Sequence, residues 1–192
     1  MPRCCGPPAG LVKARSLTHG SGMTSRDRFR QTRAYGRPDR VPLFEEGLRD
    51  DVLDRWLAEG LAGQQELASR FRYDVRIPLA SNLDPPGLLR GRGDLAAYRR
   101  ALDPEDPTRM PAELRPGAPP LAEDAVRGLT VSHGFFQTLG VRDAASFQEL
   151  IWLLYDDPDC VREALEVHAR FCATLADRIL RQTPVEYALF SE

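Results

Sequence analysis

The stretch from Asp157 to Glu192 limits the fold more than any other part of the chain. Asp157 and Pro158 open a helix, because aspartate caps well and proline suits the first helical position. Val161, Leu165, His168, Cys172, Leu175 and Ile179 then recur at helical spacing, and Pro184 closes the pattern. VEYALFSE, residues 185–192, reads as a strand carrying a carboxylate at its end. Upstream, GLTVSHGFFQTLG (128–140) reads as a short buried strand that runs out at His133 and Gly134. Between them SFQELIWLLYDDP starts a helix with a Ser-x-x-Glu capping box, Ser146 and Glu149, and sets Phe147, Leu150, Ile151 and Leu154 on one face. Strand, helix and strand in this order make parallel pairing the economical arrangement.

The front of the chain repeats the pattern more loosely. In TSRDRFRQTRAYGRPDR, Thr24 or Ser25 caps a helix, Asp27 favours its N-terminus, Phe29 packs it, and Gly36 with Pro38 ends it. VPLFEEG (41–47) reads as a buried strand that begins at a proline and ends in Glu45 and Glu46. LRDDVLDRWLAEG gives a helix with Val52, Leu53, Trp56 and Leu57 on one face and Gly60 as its stop. Tyr73, Val75, Ile77 and Leu79 alternate with polar or proline positions, the period of a half-buried strand, which is read as part of an excursion and not of a central sheet. Six prolines between Asp103 and Leu121 exclude regular structure there and predict a long surface excursion. Residues 1–22 have no periodicity and are expected to be a disordered extension. Only three good central strands are visible, and nothing follows the last to cover it, so the pattern predicts the front part of a larger α/β protein.

Charge and cysteine use exclude several classes. The chain has 192 residues, 26 basic against 28 acidic, and a net charge of −2, so no long-range field gathers phosphate backbones or anionic lipid. Nucleic acid and membranes are therefore not expected partners. Lys13 is the sole lysine, which excludes a Schiff-base or phosphate-loop lysine from the body of the protein. No apolar run is long enough to span a bilayer and no secretory signal is present, which predicts a cytoplasmic protein. Cys4 and Cys5 are adjacent, and Cys160 and Cys172 are about 18 Å apart along one helix, too far to bridge. Neither Cys-x-x-Cys nor His-x-Cys occurs, so no structural zinc site is expected.

RDRFRQTRAYGRPDRVPLFEEG resembles the opening of the uroporphyrinogen decarboxylase superfamily, in which a helix leads through a Pro-Asp-Arg-Val-Pro turn into the first barrel strand. Pro38, Asp39, Arg40, Val41 and Pro42 reproduce that turn. GFFQTLGVRDAASFQELIWLLYDDPDCVREAL resembles the family's Gly-led segment, its helix and its Asp-Pro helix start, and VEYALFSE resembles a strand that in many members carries a Glu-Asp pair. The resemblance implies that residues 23–192 are roughly the N-terminal half of a (β/α)8 TIM barrel carrying a Pro-rich excursion. The family includes tetrapyrrole decarboxylases and methyltransferases acting on corrinoid proteins or thiols. The decarboxylases' Arg-Gln-Ala-Gly-Arg-Tyr signature is replaced here by FEEGLRDDVLD, which favours methyl transfer. Zinc or corrinoid would be the cofactor of a full-length protein, and no ligand set for either is demonstrable in this half. A tetrapyrrole or methyl donor would be the substrate and a corrinoid protein the partner.

In such a barrel, chemistry sits at the C-terminal ends of the strands. That rule selects Glu46, His133 and Glu192 as catalytic candidates and Glu45 as a substrate-binding one: a carboxylate accepts a proton or binds a cation, and a histidine serves as acid, base or ligand. The competing reading of each is a solvated loop residue. His168 and Cys172 have a metal-chelating spacing but sit in an apolar stripe, which favours core packing. Arg92-Gly93-Asp94 spells an adhesion tripeptide and is read as coincidence. Trp56 and Trp152 are expected in the core. The rival to the enzyme is a non-catalytic half-barrel or binding module that needs a second chain, since an open parallel edge invites association.

Overall fold

The computed structural model describes residues 22–45, 48–63, 66 and 70–191. Three strands, β1 (Arg76–Leu79), β2 (Val126–Ser132) and β3 (Tyr187–Phe190), form one parallel sheet in the order β1–β2–β3. Leu79 lies opposite Leu129, and Leu129 opposite Ala188. Each crossover is long, as parallel pairing requires. Helix α3 (Leu95–Ala101) and the Pro-rich excursion fill the first, and α4 (Phe135–Thr138), α5 (Ala144–Asp156) and α6 (Pro158–Gln182) fill the second.

The core lies between α6 and the sheet. Val161, Ala164, Phe171, Leu175 and Ile179 of α6 are buried with Leu79 and Leu129 of the strands, Leu150 and Leu153 of α5, and Leu95 and Tyr98 of α3. Each fully buried Leu, Ile or Phe contributes about 1.5–3 kcal/mol against leaving it in water. The Asp-Pro start of α6 forms as expected: the Asp157 carboxylate accepts a 3.0 Å hydrogen bond from the Cys160 backbone N–H, and Pro158 takes the first position. The Pro-rich excursion contains only two 3-10 turns, Pro107–Arg109 and Ala112–Leu114, and is anchored on the core by Met110.

Several expectations are corrected. The partial (β/α)8 TIM barrel is not what forms: the described residues make a mixed helix and strand fold around an open three-stranded sheet, without the eight strand–helix units that would close a barrel. One physical reason is residues 41–45, which form no strand. Val41 is 78% exposed, and the Leu43 N–H is taken by a side chain, donating to Asp74 Oδ2 at 2.8 Å, while the Leu43 carbonyl accepts from the Asp74 backbone N–H at 2.7 Å. The Tyr73–Leu79 stretch instead supplies edge strand β1 of the central sheet, where Pro78 is tolerated. Helix α2 (Asp50–Ala58) forms, but none of its residues is buried. Trp56 and Trp152, expected in the core, are exposed. The capping box of α5 lies three residues earlier than expected, with Asp143 as N-cap and Ser146 at the third position, because the carboxylate caps the Ser146 N–H while the hydroxyl returns to the Asp143 N–H. The expected disordered extension falls outside the described residues up to Ser21.

Candidate functional site

In an open parallel sheet, ligands bind beyond the C-terminal ends of the strands. Here a serine stands at or just past each of those ends: Ser81 after β1, Ser132 closing β2, and Ser191 after β3. Ser191 N–H donates to the Ser132 carbonyl at 3.2 Å, which holds two of the tips together where the β2–β3 register shifts. Ser81 Oγ is buried without a hydrogen-bond partner. His133 directly follows Ser132, is half-buried, and its ring makes no hydrogen bond among the described residues. Its own carbonyl accepts from Thr138 Oγ1 at 3.3 Å, fixing the turn into α4. Beside it Phe135 and Phe136 stack edge to face at 5.1 Å, and Phe136 meets Phe147 of α5 at 4.9 Å.

Of the expected site residues, His133 therefore stands at a strand tip. Glu45 is exposed and lies in the irregular 41–45 segment, its carbonyl 3.3 Å from Arg76 Nη2, so it is not at the end of a strand. Glu46 and Glu192 lie outside the described residues.

The connection leaving β1 is clamped from behind. Arg109, buried, donates to the carbonyls of Asn82 (3.1 Å), Asp84 (2.8 Å) and Ala101 (2.6 Å), with its guanidinium 5.3 Å from the Phe171 ring centre. His168 fills the gap in this row, with Nε2 2.9 Å from the Leu83 carbonyl. With Nε2 donating, Nδ1 accepts from the Cys172 thiol at 3.3 Å, which assigns the neutral tautomer. Burial holds the His168 pKa below its ordinary value; the Leu83 carbonyl opposes this, and His133 and Arg109 add to the lowering. Burial also pushes the Cys172 thiol up to about 11, so it is an inert core thiol. His168 and Cys172 thus pack the core, as the apolar stripe predicts. Arg92 of the Arg-Gly-Asp tripeptide is tied to Asp157 at 2.7 and 2.8 Å.

The opposite edge, where the strands begin, is closed by ion clusters. The buried Asp74 carboxylate accepts from Arg28, from Arg40 at 2.7 and 3.0 Å, and from Leu43 N–H. Glu186, also buried, accepts from Arg26 Nε at 2.5 Å, Arg30 Nη2 at 3.0 Å and Arg127 N–H at 2.9 Å. Both clusters hold α1 (Ser25–Arg33) across the strand starts, with Arg26 N–H donating to the Asp124 carbonyl at 2.9 Å. Charge at this edge ties α1 to the strand starts.

Reasoning from sequence missed Arg109 and the serines. Ser-Asn, Ser-His and Ser-Glu dipeptides at the close of three strand patterns were the available signal for the latter. Among the described residues, no group of three or more His, Cys, Asp or Glu side chains could hold a metal ion, and no helix is long and apolar enough to cross a membrane. No protein-family model, curated protein or solved structure matches the chain.

Proposed function

We propose that this chain belongs to an enzyme of the uroporphyrinogen decarboxylase superfamily, on its methyl-transfer side, acting in the cytoplasm on a tetrapyrrole or methyl donor. The reaction centre is the C-terminal edge of the sheet, and His133 is its acid, base or ligand. The observation that carries this reading is the His133 ring, which stands just past the tip of the central strand and makes no hydrogen bond among the described residues, next in sequence to the Phe135–Phe136 pair. Methyl transfer is favoured over decarboxylation because FEEGLRDDVLD stands where the decarboxylases carry their Arg-Gln-Ala-Gly-Arg-Tyr signature. No step is routed through zinc, since the described donors do not gather into a ligand set.

Titration of the purified chain with methylcobalamin, followed by corrin absorbance, tests the reading. Binding that His133→Ala weakens at least about tenfold, a change of 1.4 kcal/mol, is expected. An unperturbed spectrum up to about millimolar protein counts against it.

The exposed β3 edge favours a second reading. Ala188, Leu189 and Phe190 are uncovered, and a strand of another chain could extend the sheet there, making the protein a non-catalytic module. Corrin binding abolished by His133→Ala would argue against that alternative.

A further inference from the structure

We propose that the outer face of α5, continued by Phe135 and Phe136, is a self-association surface that takes a second copy of this chain. α5 docks through Leu150 and Leu153, which are buried. Phe147, Ile151 and Tyr155 follow one another at i, i+4 and i+8, and Trp152 lies beside them on the arc turned from the core, a stripe about 12 Å long. The Phe136 and Phe147 rings, 4.9 Å apart, join this stripe to the α4 aromatics.

Area argues for a copy of the chain. Phe135, Phe136, Phe147, Trp152 and Tyr155 are 36, 39, 42, 61 and 80% exposed. At about 200 Å² per aromatic side chain they leave roughly 500 Å² uncovered. A two-fold contact would bury about 1,000 Å² in total, the lower bound of a specific interface. These residue types also dominate the centres of such interfaces.

Charge points the same way. Four pairs of ionised groups near the patch are joined within the chain: Arg90 with Glu149 at 2.8 Å, Arg142 with Asp84 at 2.8 Å, Arg92 with Asp157 at 2.7 Å, and Arg162 with Asp159 at 2.9 Å. Asp143, whose carboxylate caps α5 through Ser146, and Asp156 stand at the rim, where a charge costs little. A face without a field of one sign selects no oppositely charged partner, and under two-fold symmetry each patch meets its own copy. The inference does not depend on the proposed reaction.

Sedimentation velocity of the full chain from about 1 to 100 µM tests it. A concentration-dependent dimer is expected, with a Kd that Trp152→Gln/Tyr155→Gln weakens at least about tenfold while the far-UV circular dichroism is unchanged. Both side chains are more than half exposed, so the variant leaves the core intact. Leu180→Gln, another exposed apolar position on α6, is expected to leave the Kd unchanged. A monomer throughout the range overturns the proposal, as does equal weakening by Leu180→Gln. A dimer indifferent to the double variant but dissociated by Phe190→Gln also overturns it and places the contact on the β3 edge.

Discussion

Arg26 Nε donates a 2.5 Å hydrogen bond to the Glu186 carboxylate, joining residues 160 positions apart and fixing α1 against the start of β3. Glu186 is almost wholly buried, while Arg30, its second guanidinium, is half in solvent. Removing the carboxylate charge leaves Arg26 and the Arg127 N–H facing a poorer acceptor. Glu186→Gln is expected to lower stability by about 2–3 kcal/mol, read from the urea midpoint at pH 7. An unchanged midpoint would mean that the cluster only positions α1.

Acid should release the same edge. Burial pushes the Glu186 carboxyl up, but the Arg127 N–H and the Arg26 and Arg30 guanidiniums outweigh it and hold the pKa below the ordinary value. Asp74 behaves alike: burial raises it, and Leu43 N–H with Arg40 and Arg28 brings it down. A depressed carboxyl stabilises fully above its unfolded pKa, near 4, and loses that contribution as pH falls through its folded value. Urea midpoints should therefore drop below about pH 4, and the drop should be shallower in Asp74→Asn, which starts from a lower midpoint. Equal slopes would detach Asp74 from the acid transition.

Apolar periodicity made part of this fold legible. The stripe from Val161 to Ile179, its Asp-Pro start and the strand after Pro184 all follow from spacing and caps, and α6 and β3 form there. Polar docking was not legible. Ser25 and Arg28 are the buried residues of α1, and their partners, Val75 N–H and Asp39 with Asp74, are set by tertiary contact. Val41 and Leu43 look apolar enough for a strand, yet the Leu43 N–H is taken by the Asp74 side chain, which no local pattern encodes. Helix α2 shows the converse: an apolar face predicts the helix but not what covers it. At the candidate site, His133 was visible because a strand pattern ends there. Arg109 was hidden because its carbonyl acceptors come from two other segments.

His168 should control stability in a different pH window. Its pKa is lowered chiefly by burial, so the folded state binds fewer protons than the unfolded one below about pH 6.5. The contribution is complete above that value and is lost as pH falls toward the folded pKa. His168→Leu should abolish the slope between about pH 6.5 and 5, and cost about 1–3 kcal/mol at pH 7 because the Leu83 carbonyl loses its donor. A slope that survives the substitution would assign the titration to another group.

Gly140 tests how closely the two crossovers meet. Its φ is +86°, a left-handed conformation that side chains rarely adopt, and it closes the turn after α4 with its N–H donating to the Gln137 carbonyl at 3.0 Å. A Cβ built there would lie 2.1 Å from the Gly87 carbonyl oxygen, 2.4 Å from its carbon and 2.6 Å from Leu88 N. Those atoms are backbone and cannot rotate aside. They are also fixed, since the Gly87 carbonyl accepts from Tyr98 Oη at 2.8 Å and the adjacent Leu89 N–H donates to the Leu139 carbonyl at 3.0 Å. Gly140→Ala combines left-handed strain with displacement of the connection between β1 and α3. A loss of at least about 2 kcal/mol in urea unfolding is expected, well above the effect of Gly117→Ala, where φ is also positive but nothing lies within 4 Å. Equal losses at the two glycines would show that strain alone governs both and that the crossovers are free to part.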